Sequence, residues 1–294
     1  MKHTLIFTLL AAAQASAATL DCSSGWQWLS FAGISQLEQD GDQAIVAGCE
    51  WLAPLPPGRQ QWPPGLPSLR YEQALPTEVS DSKGYIRYQN WQLDVPLLRT
   101  GQIVWGYHTR YDYRQQLHVL GSALSYDGSA LTLGQELLLD REQLDHGLYL
   151  DLTGLGSPFT RLTLMYSQET RPLALGGTTD TLENATLTGW RIRLERQHMN
   201  PGFSLQGYLG LGEETLTDAS DARVLLLDNR QLMVTEVKAG VQWLFKRGHV
   251  LAFSRVQGTL LYRLATPDAS DAEVTLDSFS DLDYGASLGL GLRF

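Results

Sequence analysis

The chain has 294 residues and a formal net charge of −10 at pH 7. This acidic balance argues against nucleic acid as a partner, because nucleic-acid binding needs a basic surface. After residue 17, no stretch stays apolar for the roughly eighteen residues that a membrane-spanning helix needs. If the chain enters a membrane, it must therefore do so as a closed sheet, since hydrocarbon offers no hydrogen-bond partners to an open sheet edge.

The first seventeen residues have the organisation of a secretory signal peptide. A basic start (Met1-Lys2-His3) is followed by an apolar run from Thr4 to Ala13 and by the small-residue site Ala15-Ser16-Ala17. This order predicts a signal peptide over residues 1–17, cleaved after Ala17, and hence export. The apolar run is too short to cross a bilayer as a helix, which argues against a membrane anchor.

Two cysteines, Cys22 and Cys49, follow the predicted cleavage site. Because an exported chain meets an oxidising compartment, the sequence predicts a disulfide between them. The alternative is a pair of unlinked thiols.

Residues 18–64 differ in composition from the rest of the chain. Prolines cluster in the second half of this segment, and proline cannot donate a hydrogen bond into a sheet. The composition predicts an N-terminal segment outside the sheet, either in the periplasm or partly plugging a barrel, and tied by the disulfide. The alternatives are a packed lid without a gating role or a loose leader.

From residue 65 onward, segments of alternating polarity are separated by turn residues, which is typical of a transmembrane β-barrel. We expect an all-β, antiparallel, up-and-down barrel over residues 65–294 with about twelve strands, or ten if two strands are wrongly placed. The expected strands are 66–75, 84–97, 102–111, 115–125, 129–139, 143–153, 159–169, 186–198, 202–213, 231–245, 249–264 and 282–294.

The predicted connections also alternate in length. With Phe294 placed in the periplasm, the connections on that side are short and rich in turn residues: 98–101, 126–128, 154–158, 200–201 and 246–248. The connections on the opposite side are long and polar: 76–83, 170–185, 214–230 and 265–281. Short periplasmic turns and long external loops are typical of outer-membrane barrels.

The last strand carries the most specific signal. From Leu282 to Phe294, every second residue is apolar and the residues between them are small or charged. A terminal Phe after such an alternation resembles the closing strand of bacterial outer-membrane β-barrels. The resemblance implies a Gram-negative outer membrane, lipid and lipopolysaccharide as surroundings, and recognition of this strand by the barrel-assembly machinery. The membrane-facing residues would be Tyr284, Leu288, Leu290, Leu292 and Phe294.

In the predicted strands, many of the residues that alternate with the outward-facing ones are charged and would point into the lumen. One interpretation is a water-filled pore with a basic stripe that favours anionic solutes. The other is a ladder of ion pairs that fills a narrow barrel, because unpaired charges away from water are costly. The predicted lumen-lining residues are His108, Arg110, Arg191, Arg193, Glu195, Glu236, Lys238, Arg255 and Arg293, together with Asp283.

No catalytic or metal-binding motif stands out. The histidines are scattered, there is no Gly-x-Ser-x-Gly sequence, and no His pair has metal-ligand spacing. We expect no catalytic residue, no cofactor and no metal. The leading functional hypothesis is passive diffusion of small hydrophilic solutes, anions included. The alternatives are a lipid- or lipopolysaccharide-modifying enzyme that uses His108, and a closed structural or adhesion barrel that acts through its long loops.

Overall fold

A computed structural model describes residues 19–30, 41–52, 67–75, 86–126, 129–177, 181–196, 202–217, 231–247, 249–265 and 281–293. These ranges contain fourteen strands, numbered here in chain order. The strands are β1 (Thr19–Ser30), β2 (Gly41–Leu52), β3 (Ser68–Ala74), β4 (Ile86–Thr100), β5 (Ile103–Val119), β6 (Leu124–Tyr126), β7 (Ser129–Leu131), β8 (Glu136–Asp151), β9 (Arg161–Leu175), β10 (Thr181–Arg196), β11 (Gly202–Thr217), β12 (Gln231–Arg247), β13 (Val250–Ala265) and β14 (Asp281–Arg293).

Twelve of the strands form one closed antiparallel barrel. The order around the wall is β1-β14-β13-β12-β11-β10-β9-β8-β5-β4-β3-β2, so that the first and last strands pair and close the cylinder. The remaining two, β6 and β7, form a separate hairpin. The predicted fold class and the count of twelve strands are therefore confirmed. Along the strands, buried and exposed residues alternate, as expected when one face points into the barrel and the other points out.

The prediction that residues 18–64 lie outside the sheet is wrong. Thr19–Ser30 and Gly41–Leu52 are barrel strands, and the barrel therefore begins at Thr19 and not at residue 65. The prolines that suggested an irregular segment lie between Leu52 and Ser68, outside the two strands. The disulfide is confirmed: Cys22 and Cys49 are opposite each other in the β1–β2 pair and are bonded.

Two expected turns are also absent, because four predicted strands merge into two. Segment 102–111 and the first part of 115–125 form the single strand β5, and the end of 129–139 joins 143–153 in β8. The remaining parts of 115–125 and 129–139 contain β6 and β7. Asp112 and Arg114 fall in the gap between the first two of these predicted strands. They lie on the inner face of β5, where they bond each other, so that their charges are compatible with a continuous strand.

The barrel has two distinct ends. We call the end where β1 begins and β14 finishes the terminal end, and the opposite end the loop end. The connections predicted at 98–101, 154–158, 200–201 and 246–248 all fall at the terminal end, between consecutive strands. A 3-10 turn, Thr153–Leu155, occupies one of them. The connection at 126–128 was assigned to the wrong end, because it lies at the tip of the β6–β7 hairpin, between β5 and β8.

Several predictions fall outside the described residues. These are the signal peptide over residues 1–17, the acidic loop between β13 and β14, and Phe294. Within the described ranges, no helix is both long enough and apolar enough to cross a membrane.

Candidate functional site in the barrel lumen

The exterior of the barrel is apolar. On β14, Tyr284, Leu288, Leu290 and Leu292 are 41%, 70%, 64% and 44% exposed, and all lie on the outward face. The outward face is also exposed on β11, at Leu205, Leu209 and Leu211, and on β12, at Val237, Val241 and Trp243. A continuous exposed apolar surface of this kind needs an apolar solvent.

Aromatic pairs lie on the outer wall, at the loop-end side of this apolar surface. Tyr284 contacts Trp26 and Trp28 across the barrel closure, Tyr71 contacts Trp91, and Tyr166 contacts Trp190. Rings at one level of a barrel are typical of a membrane–water interface, where the apolar body and the polar edge of the ring are both satisfied. The architecture is that of a bacterial outer-membrane β-barrel. The apolar exterior indicates that membrane lipid surrounds the barrel wall.

Comparisons with known proteins give fold neighbours only. No protein-family model matches the chain, and no curated protein matches it either. Among solved structures, it is similar to the translocator domain of the autotransporter NalP from Neisseria meningitidis, with 9% identity, 100% of this chain and 95% of the other covered, and a TM-score of 0.46.

Two further similar structures come from Pseudomonas putida. An outer membrane channel of strain F1 has 13% identity and a TM-score of 0.39, with 96% and 97% of the two chains covered. The toluene transporter TodX has 9% identity and a TM-score of 0.36, with 97% and 91% covered. Nothing about the role of this barrel follows from likenesses at this level.

A cluster of six charged side chains fills the lumen near the loop end. All six are almost completely buried. Arg263 contacts three carboxylates, at 2.6 Å to Glu169, 2.7 Å to Glu214 and 2.9 Å to Asp281. We call this cluster the belt. It comprises Arg141, Arg171, Arg263, Glu169, Glu214 and Asp281.

The belt joins opposite walls of the barrel. Arg171 on β9 donates to Asp281 on β14 at 2.6 Å, although four strands separate β9 and β14 along the wall. Arg171 also bonds Glu169 on its own strand at 2.5 Å. Arg141 adds charge to the same centre: its Nε lies 2.9 Å from Glu169 but is not aligned for a hydrogen bond, so we treat this contact as electrostatic. The belt contacts therefore cross the lumen at this level, with almost no exposed side-chain surface.

A second bridge lies beside the belt. Arg114 on β5 donates to both carboxylate oxygens of Asp283 on β14, at 2.8 and 2.7 Å, and to the backbone carbonyl of Ser30 on β1 at 2.9 Å. Asp283 in turn accepts from the backbone N–H of Ser30 at 2.9 Å. These contacts hold the first strand, the last strand and the facing wall together.

The β6–β7 hairpin covers the mouth at the loop end. Its Tyr126 and Leu131 are 1% and 4% exposed, and they pack against Leu137, Leu139 and Leu173, which belong to β8 and β9. The hydroxyl of Tyr126 also bonds Glu183 of β10. The segment that folds into the mouth is therefore this hairpin, and not the N-terminal segment that the sequence suggested.

Part of the terminal-end half of the lumen is less tightly buried than the belt. We call this part the vestibule. Its inward side chains are partly exposed: Asp21, Glu50, Arg70, Glu72, Lys238, Arg255 and Gln257. On the facing wall, Asp94, His108 and Tyr149 are buried.

The predicted lumen residues lie on the inner face, but most of the cations are neutralised. Arg110 lies 3.1 Å from Asp112, and Arg191 pairs with Glu214 of the belt. Arg193 donates to Glu236 at 2.8 Å and lies 3.9 Å from Glu195. At Arg191 and Arg193 the contacts therefore match the ladder of ion pairs, the second interpretation of the lumen charges, and not the basic stripe. Arg293 ends β14, and its side chain lies outside the described part of the chain.

His108 belongs to a separate cluster on the lumen wall. Its Nδ1 lies 2.6 Å from Asp94, which also accepts two hydrogen bonds from Arg161, at 3.0 and 2.6 Å. The Arg161 guanidinium stacks 3.8 Å above the ring of Tyr149. His108 is buried and faces the lumen, whereas membrane lipid contacts the outer wall. The geometry therefore gives no support to lipid modification through this residue.

Gly106 allows this cluster to form. A Cβ atom at Gly106 would lie 2.1 Å from Cζ of Tyr149, whose ring is held from its other side by Arg161. We expect Gly106→Ala to displace the ring and lower the free energy of unfolding by about 1–3 kcal/mol, the usual cost of overpacking. The measurement is urea unfolding of the barrel in detergent micelles, followed by tryptophan fluorescence.

A double-mutant cycle provides the control. Tyr149→Ala removes the ring that obstructs the new methyl group, so Gly106→Ala should cost much less in that background. Equal costs in both backgrounds would show that the close approach of Tyr149 to Gly106 does not constrain the wall.

No group of three or more potential metal ligands occurs within the described ranges.

Proposed function

We propose that this protein is an outer-membrane channel for small hydrophilic solutes that is closed at rest, and that the belt holds it closed. One observation carries the proposal: the fully buried contacts of Arg171 with Asp281 and of Arg263 with Glu169 join opposite walls of the lumen. A passive, permanently open pore is incompatible with these contacts. A polar lumen wall and a water-accessible vestibule support passage once the contacts separate.

Charged side chains are suited to a closure that can open. The ions that leave the belt meet water in the vestibule, whereas a purely apolar filling would lose its packing without compensation. The β6–β7 hairpin must move as well, because Tyr126 and Leu131 cover the mouth above the belt. The solutes that this geometry suits are small and polar, and the lipids of the outer membrane contact only the outer wall.

The test is single-channel conductance in planar bilayers. We expect the unmodified protein to be closed for most of the recording, with brief openings. The double variant Arg263→Gln/Glu214→Gln removes one positive and one negative belt charge and keeps the side chains close in size. We expect it to raise the open fraction severalfold, because two of the contacts that hold the walls together are weakened.

The matched control is Arg70→Gln/Glu72→Gln. This pair lies on β3 in the vestibule, its residues bond each other along one strand, and it does not cross the lumen. We expect it to leave the open fraction unchanged. A large, stable conductance of the unmodified protein would contradict the proposal. Silence of both the unmodified protein and the belt variant would instead favour a closed scaffold that acts through its external loops.

A further inference from the structure

Most inward cations have a carboxylate partner. Within the described ranges, nine arginines of the inner wall form an ion pair with an Asp or Glu: Arg70, Arg110, Arg114, Arg141, Arg161, Arg171, Arg191, Arg193 and Arg263. Apart from Arg99 and Lys246 at the exposed terminal rim, the exceptions among the described side chains are Lys238 on β12 and Arg255 on β13. Both face the vestibule.

The contacts of these two residues leave their charges available. Arg255 donates its Nε to the amide oxygen of Gln242 at 3.1 Å, and its guanidinium lies 5.5 Å from the ring of Phe253. The Lys238 ammonium lies 6.0 Å from the ring of Tyr208. Both terminal nitrogens of Arg255 and all three N–H groups of Lys238 are thus without a carboxylate, although each is a strong donor.

Both cations and carboxylates surround Lys238 and Arg255, but the carboxylates lie beyond ion-pair distance of these two residues. Arg70 and Arg255 both act electrostatically on Lys238, and so does Glu72, which is already bonded to Arg70. Glu50 and Glu72 act on Arg255 only from beyond ion-pair distance. Lys238 and Arg255 therefore remain without an ion-pair partner among the described residues.

The wall between them is polar. Gly240 lies between Lys238 and Gln242 on β12, and Gln257 and Gln206 pack over it, 3.0 and 3.4 Å from the position that a Cβ would take. Gln257, opposite Gly240 on β13, adds an amide to this stretch of wall. Lys238, Arg255 and Gln257 are partly exposed on the terminal-end side of the belt, so a solute reaches them while the belt is closed.

We propose that Lys238 and Arg255 form a binding site for a small anion that carries a carboxylate or phosphate group. The site lies on the path to the belt, so this proposal names a class of solute for the proposed channel. In that respect it rests on the proposed function. The guanidinium of Arg255 presents two parallel N–H groups to such an anion, and Lys238 adds a compact positive charge. The neighbouring glutamine amides suit the uncharged polar groups of an organic anion.

The experiment measures equilibrium binding, and so it does not depend on conductance. The purified full chain, in detergent micelles, is dialysed against radiolabelled inorganic phosphate in one arm and radiolabelled succinate in the other. We expect saturable binding of one anion per barrel in at least one arm. Lys238→Gln and Arg255→Gln should each weaken it by about tenfold or more, the value of a charge-assisted hydrogen bond.

The matched control is Lys246→Gln, which removes an exposed charge at the terminal end of the same strand, β12. It should bind as the unmodified protein does. If all three variants resist unfolding as well as the unmodified protein does, the barrel is intact in each of them. Absence of saturable binding in both arms, or equal binding by Lys238→Gln and Lys246→Gln, would overturn the proposal. Either result would leave the closed-channel proposal to its own conductance test.

Discussion

Replacing Arg263 by methionine is expected to destabilise the barrel by about 3–5 kcal/mol, the cost of removing one partner from a buried ion pair. Arg263 is fully buried and contacts Glu169, Glu214 and Asp281. Methionine fills a similar volume but leaves these carboxylates with one donor fewer in a site that water does not reach. The largest single loss of stability on the lumen wall is expected at this position.

The measurement is the free energy of unfolding in urea, with the barrel in detergent micelles. Arg255→Met is the matched control, because Arg255 lies on the same strand and also faces the lumen, but has no carboxylate partner among the described residues. It should cost less than about 1 kcal/mol, the value of one ordinary hydrogen bond. Equal losses in the two variants would show that the belt contributes no more than a single hydrogen bond.

Removal of the disulfide is expected to cost about 2–4 kcal/mol. The bond links residues 27 positions apart, and in the chain-entropy view it restricts the unfolded chain over that loop. It also joins β2 to β1, the strand that closes the barrel against β14. The double variant Cys22→Ala/Cys49→Ala should therefore unfold at lower denaturant concentration than the unmodified protein.

Reductant supplies the control for this prediction. Under reducing conditions, the unmodified protein should fall to the stability of the double variant, and the double variant should not change. A double variant as stable as the oxidised protein would show that the wall between β1 and β2 is held by its hydrogen bonds alone.

The class of fold can be read from the sequence because lipid imposes a simple rule on it. A membrane-spanning strand such as β14 must be apolar at every second residue, on the face that contacts lipid. Leu288, Leu290 and Leu292 follow this rule without exception. This pattern did not identify the first two strands, β1 and β2. Small and polar residues such as Ser23, Ser24 and Gly25 weaken the alternation in β1, and the nearby prolines suggested an irregular segment.

The belt could not be predicted from the sequence, for a different reason. Glu214, Arg171 and Asp281 lie at positions that were assigned to long external loops, because the strands continue further toward the loop end than their apolar alternation does. Beyond the apolar surface, the inner face carries leucines such as Leu137, Leu139 and Leu173 as well as charges, so periodicity no longer distinguishes strand from loop. The partners of each charge depend on which strands face each other across the lumen, and only the closed structure provides that.

The inner face itself was predicted more successfully than its chemistry. Arg191, Arg193 and Glu236 do lie on that face, but the alternation of polarity carries no information on pairing. Pairing turns an apparent basic stripe into a neutral network and leaves Lys238 and Arg255 as the distinctive cations.

The most direct test of the central claim, a lumen closed near the loop end and open at the terminal end, is thiol labelling from each side of the membrane. Ser287 faces the vestibule and is half-buried, so Ser287→Cys places a single free thiol there while the native disulfide remains. In outer-membrane vesicles, a membrane-impermeant maleimide should label this thiol rapidly from the terminal-end side and scarcely from the loop-end side. Equal labelling from both sides would contradict the account, because it would require an open path through the belt.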